Sequence, residues 1–170
     1  MSPERIPEEN WRNETGHIWR YSWAANQIQR GETVLDIACG IGYGAEVLAP
    51  TGCFYLGVDK PGAISETFWH YGEFIETDID TWTPDADFDV IVCFETLEHV
   101  GDLDHLVGIL TGARRLLCVS VPTIPTVGVN PFHVRNFTKD SLPELFADWT
   151  LAECIPQPSE SSHVYSFTKP

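Results

Sequence analysis

The stretch Val34-Leu-Asp36-Ile-Ala-Cys39-Gly40-Ile-Gly42-Tyr43-Gly44-Ala45 decides the fold. Its first half is apolar almost throughout, which predicts a buried strand over Thr33 to Ala38, and its second half turns on glycines into a helical stretch ending near Ala49-Pro50. Glycine is the residue for a sharp turn or for backbone that meets a ligand too closely for a Cβ, and the helix start that follows offers unpaired N–H groups. Gly40, Gly42 and Ala45 also satisfy the dinucleotide spacing G-x-G-x-x-G/A. The glycines alone therefore leave the choice open between a nicotinamide cofactor and another nucleoside.

Working outward, further apolar runs recur at Cys53 to Val58, Phe88 to Cys93 and Arg115 to Val121. Runs without polar alternation belong in a sheet covered on both faces, which in one domain means parallel strands between helices. Asp102 is placed as the N-cap of a helix whose stripe is Leu103, Leu106, Val107 and Leu110. Pro143 belongs in the first turn of another, with Leu145 and Phe146 inward. Ahead of the first strand, Ile18, Tyr21, Ala25 and Ile28 are spaced for a helix ending at Gly31. Leu151 to Ile155 and His163 to Thr168 read as a closing antiparallel hairpin.

Composition narrows the function. The 170 residues carry 25 acidic and 10 basic side chains, a formal charge of −15, with 43% hydrophobic residues. That length predicts one domain, and that charge disfavours nucleic acid and anionic membranes as partners, since both are bound through Lys and Arg. The stretch from Met1 to Glu9 has no signal-like apolar run, so a cytoplasmic location is expected. Cys39, Cys53, Cys93, Cys118 and Cys154 contain no C-x-x-C pair, and buried reduced thiols are expected.

Asp36 favours a cation over a pyrophosphate, because a carboxylate four residues before Gly40 faces a cationic ligand or braces the loop. Asp59 ends the second strand, where it can accept from both ribose hydroxyls, and Asp78 follows a short third strand, Glu73 to Thr77, within reach of an adenine amine. Three acids after three successive strands fit an adenosine-bearing cation. In these residues, and in Phe88-Asp-Val-Ile-Val-Cys-Phe94-Glu-Thr-Leu-Glu98-His99-Val, the chain resembles the class I S-adenosylmethionine-dependent methyltransferases over nearly its whole length. His17-Ile-Trp-Arg20-Tyr21, Glu95-Thr-Leu-Glu98-His99-Val and Asn130-Pro-Phe-His133-Val further resemble the ubiquinone-pathway O-methyltransferase group and relatives in saccharide biosynthesis.

The resemblance implies an α/β, Rossmann-like fold, a mostly parallel seven-stranded sheet with an antiparallel last strand. Residues 1–32 are expected as a helical cap of the same domain and 33–170 as the S-adenosylmethionine-binding core. It also implies that Gly40 and Gly42 line the methionine portion, Asp59 with Lys60 beside it the ribose, and Asp78 with the Ile79 backbone the adenine. Arg20 is expected on the cofactor carboxylate and Phe94 beside the methionine chain. Tyr43 and Tyr21 can approach the sulfonium.

The expected reaction is methyl transfer to a hydroxyl of a small molecule or saccharide. His99 and His133 are the candidate catalytic bases, since imidazole titrates near neutrality. Glu95, Glu98 and His99 form an E-x-x-E-H cluster suited to a divalent cation such as Mg2+, which lowers the pKa of a bound hydroxyl. Only residues 1–30 and the loop from Pro122 to Phe137 are long enough to cover the acceptor, and so open a site suits a bulky acceptor or a homodimer. Two rivals stand beside this reading. A non-catalytic S-adenosylmethionine-binding subunit shares the cofactor residues, and a nicotinamide-dependent oxidoreductase shares the strand, the glycine turn and the acid. A chain of 170 residues leaves the second little room for another nucleotide half and a catalytic set.

Overall fold

Thr33–Ile37 (β1) is the centre of the sheet, pairing in parallel with Phe54–Asp59 (β2) on one side and Val90–Phe94 (β4) on the other. The computed structural model describes residues 6–158 and 160–170, so Met1 to Arg5 of the expected cap and Ser159 lie outside the described residues. Glu73–Glu76 (β3), Leu116–Pro122 (β5), Thr150–Pro156 (β6) and Ser162–Thr168 (β7) complete a seven-stranded sheet ordered β3-β2-β1-β4-β5-β7-β6. All pairs are parallel except β5–β7 and β6–β7, so β7 is the one strand that runs against the rest.

Residue parity along each strand divides the core in two, because successive side chains point to opposite faces. Leu35, Ile37, Ile91, Cys93, Leu117 and Val119 face Leu103–Leu110 (α3) and Ser141–Leu145 (α4), with Leu106, Leu110, Leu142 and Phe146 filling the layer. Val34, Val90, Val92, Leu116 and Cys118 face Thr15–Ala25 (α1) and Tyr43–Leu48 (α2), through Tyr21, Trp23, Ala45 and Leu48. Asp102 caps α3 as its sequence predicts, its side chain accepting from the His105 N–H at 3.0 Å. Pro143 falls in the first turn of α4, where its missing N–H leaves no bond unmade.

The helix expected to reach Gly31 ends six residues earlier, at Ala25. The N–H groups of Asn26 and Gln27 bond back to Trp23 O and Ala24 O, tightening the last turn, and Ile28 then packs into the core from outside the helix. Gly31 (φ +85°) turns the connection instead, its N–H meeting Gly52 O.

The chain winds outward through β1, β2 and β3, then returns to start β4 beside β1. Ligands of open α/β sheets bind at the carboxyl ends of the strands where such a reversal occurs. Among the described residues no helix is long and apolar enough to cross a membrane.

Candidate functional site

A cavity of about 730 Å³ opens at the carboxyl ends of β1 and β4. Among the described residues two non-glycines have left-handed backbone, Ala38 (φ +62°) directly after β1 and Glu95 (φ +49°) directly after β4, and both line it. Strained backbone of this kind persists only where its surroundings enforce it, and it concentrates at functional sites.

The glycine turn is held from β2. Asp59, 9% exposed, accepts from the Gly40 N–H at 2.8 Å through one oxygen and from the Lys60 N–H at 2.7 Å through the other. Gly40, Asp59, Lys60, Asp78 and Ile79 all line the cavity, and Phe94, Tyr43, Tyr21 and Arg20 form its floor on the side of α1. Tyr21 stands edge-on to both Tyr43 (5.2 Å) and Phe94 (5.1 Å).

Two of the expected cofactor residues lie behind this wall instead of in it. Gly42 (φ +95°) is the pivot of the turn, and a Cβ there would stand 2.8 Å from the Phe74 ring. Asp36 is fully buried on the α1/α2 face, where one carboxylate oxygen accepts from Tyr55 (2.6 Å) and Tyr21 (2.8 Å). Its position within β1 makes this so, since an in-strand side chain points to a sheet face and not off the strand end. Burial pushes its pKa up to about 7 against the lowering effect of the two tyrosines. Asp36 thus ties β2 to α1 through the two tyrosine hydroxyls.

Arg20 is 2% exposed and bonds His17 Nδ1 at 2.6 Å and Gln157 at 3.4 Å, with Glu160 4.0 Å away. His17 Nδ1 also meets the Tyr43 hydroxyl at 3.2 Å. Burial, and then the Arg20 charge, drive the His17 pKa down to about 3, so its ring is neutral at physiological pH. His17 and Glu160 are cavity residues that the sequence did not single out. The helical offset of three from His17 to Arg20 was a readable signal. Glu160 offered none, because it reaches the site only through the pairing of β6 with β7.

The expected E-x-x-E-H cluster divides. Glu95 turns away, its two oxygens accepting from Ser120 (2.7 Å) and Ser162 (2.8 Å), and so it braces β4 against β5 and β7. Its place beside Glu98 and His99 is taken by His133, and the ligand atoms of Glu98, His99 and His133 all lie within 4.8 Å of one another. The two imidazoles meet edge to face with centroids 4.5 Å apart. His99 Nδ1 lies 3.2 Å from Phe132 O, and since a carbonyl only accepts, that nitrogen is the donor there and Nε2 is the ring nitrogen turned toward Glu98. Glu98, 1% exposed, sets a carboxylate oxygen 3.8 Å from that Nε2.

Residues 11–155 match the family described as "Methyltransferase domain". A "Probable S-adenosylmethionine-dependent methyltransferase" of Mycobacterium tuberculosis is 33% identical over 129 residues, covering 68% of this chain and 47% of its own length. A ubiquinone biosynthesis O-methyltransferase of Coxiella burnetii is 35% identical over 97 residues, 52% of this chain and 42% of its own. The chain spans about half the length of the curated relatives it matches. In three dimensions it resembles magnesium protoporphyrin IX methyltransferase of Synechocystis, solved with bound S-adenosylhomocysteine, at a TM-score of 0.74 and 16% identity over 99% of this chain and 90% of that one. At that identity the likeness is one of fold.

Proposed function

Because this chain belongs to the class I S-adenosylmethionine-dependent methyltransferases, we propose that it moves a methyl group from S-adenosylmethionine to a hydroxyl of a small molecule or saccharide. The observation that carries the acceptor half is the His99–His133 pair, ring centroids 4.5 Å apart in the wall of the same cavity as Asp59 and Asp78. The O-methyltransferase among the relatives supports the same reading.

S-adenosylmethionine supplies an electrophilic methyl on a sulfonium. Asp59 and Asp78 would hold its adenosine, and Gly40 and Arg20 its amino-acid end. Phe94, Tyr21 and Tyr43 present aromatic surface to the positive sulfur, an attraction of about 0.5–2 kcal/mol each where the geometry suits. The acceptor oxygen forms its new bond to carbon as the carbon–sulfur bond breaks, so alignment of the two supplies most of the rate. His99 Nε2 takes the hydroxyl proton, and Glu98 beside it stabilises the imidazolium that results.

A second reading rests on the same three side chains. Glu98, His99 and His133 offer one oxygen and two nitrogens at ligand spacing, a set that fits a divalent cation, which would acidify a bound hydroxyl. Turnover separates the two. With a proton-accepting histidine, His99→Ala lowers kcat by about 10²–10⁴-fold and leaves cofactor affinity intact, and chelator has no effect. With a cation, chelator abolishes activity and Mg2+ or Mn2+ restores it. A screen of phenols, sugars and amines identifies the acceptor, and activity confined to amines overturns the hydroxyl assignment.

A further inference from the structure

Between β5 and α4 the chain runs through residues 123–140 without a helix or strand, and this segment carries His133 to its partner. Something must hold it there. Arg135 Nη1 donates to Leu97 O and to Val100 O, both at 2.7 Å, and Nη2 approaches Gly101 O at 3.4 Å. Those carbonyls flank Glu98 and His99 on either side. The Val134 N–H adds a bond to Glu98 O at 2.8 Å. Asn136 folds the loop onto itself, its side-chain oxygen accepting from the N–H groups of Thr126 (2.8 Å) and Val127 (2.9 Å). Thr126 then meets His133 Nδ1 through its hydroxyl at 2.7 Å.

We propose that Arg135 is the positioning residue of the histidine pair, its guanidinium clamping the loop that carries His133 onto the turn that carries His99. Arg135 does not line the cavity, so it acts through the two rings and touches no reactant. A guanidinium suits the task, since its fixed fork serves several carbonyls at once and stays charged at every working pH. The catalytic meaning of the clamp rests on the acceptor reading above, but its structural content does not.

The test compares Arg135→Ala and Arg135→Lys with the unaltered chain by three measurements. The expected result for Arg135→Ala is loss of the nuclear Overhauser contact between the His99 and His133 rings and S-adenosylmethionine affinity within threefold of the parent. Its kcat on the acceptor should fall at least tenfold. Arg135→Lys should recover part of the ring contact and of kcat, because an ammonium can still reach one or two of the carbonyls. A ring contact retained in Arg135→Ala overturns the proposal. So does a parallel loss of cofactor affinity, which would mark a general structural role, or a lysine variant no better than alanine. Should Arg135→Ala not fold, Arg135→Gln, with similar length and one amide donor, is read by the same criteria. The ring contact is measured without turnover, so a chain that shows it but transfers no methyl group refutes the proposed function and leaves the clamp standing.

Discussion

Two aspartates on adjacent strands show how position within a strand decides a carboxylate's role. Asp59 is the last residue of β2 and borders the cavity, and Asp36 is the fourth residue of β1 and points into a packed layer. Asp59→Ala is expected to weaken S-adenosylmethionine binding at least tenfold by calorimetry, since charge-assisted bonds contribute about 1.5–3 kcal/mol each. Unchanged affinity in the folded variant would remove Asp59 from the ribose. Asp36 makes a different prediction. Its folded pKa of about 7 lies above the unfolded value, so between about pH 4 and 7 the native state holds a proton that the unfolded chain has released. Its contribution to stability is therefore full below pH 4, falls as pH rises to 7 and is flat beyond. His17, with its folded pKa near 3, works in the opposite sense, costing stability as pH falls below about 6.5. Asp36→Asn should remove the downward component, so that its melting temperature rises relative to the parent between pH 4 and 7. A constant offset across that range would refute it.

At the scale of elements, the glycine turn is set by backbone geometry as much as by ligand contact. Gly42 combines a left-handed φ with the Phe74 ring 2.8 Å from where a Cβ would stand. Gly42→Ala should cost at least about 1–2 kcal/mol from the backbone alone and weaken cofactor binding by displacing the turn. Wild-type denaturation and affinity would show that the turn adapts. The α3 cap provides the contrast. Asp102→Ala removes the bond to His105 N–H and should cost about 0.5–2 kcal/mol in urea denaturation, with cofactor affinity unchanged. The helices and strands were legible because each follows a local rule: an apolar run, an i, i+4 stripe, a cap. The early end of α1 was not, because Asn26 and Gln27 close the helix through their backbone while Ile28, at helical spacing, packs into the same core.

For the molecule as a whole, binding the native state alone stabilises it by mass action. S-adenosylmethionine at a hundred times its dissociation constant should add about 2.7 kcal/mol, a rise of roughly 5–10 °C in melting temperature for a domain of this size. NAD at the same concentration should give no rise, and the reverse pattern would restore the oxidoreductase rival. By itself the sequence determined the strand and helix order, the glycine turn and the carboxylate at the end of β2, because these depend on neighbours along the chain. The tertiary structure alone decided that Asp36 is buried, that Glu95 serves Ser120 and Ser162, and that His133 joins Glu98 and His99. Each of those outcomes depends on where a strand end or loop meets a segment distant in sequence, and Arg135, reaching back 38 residues to Leu97, is the contact that brings two such segments together.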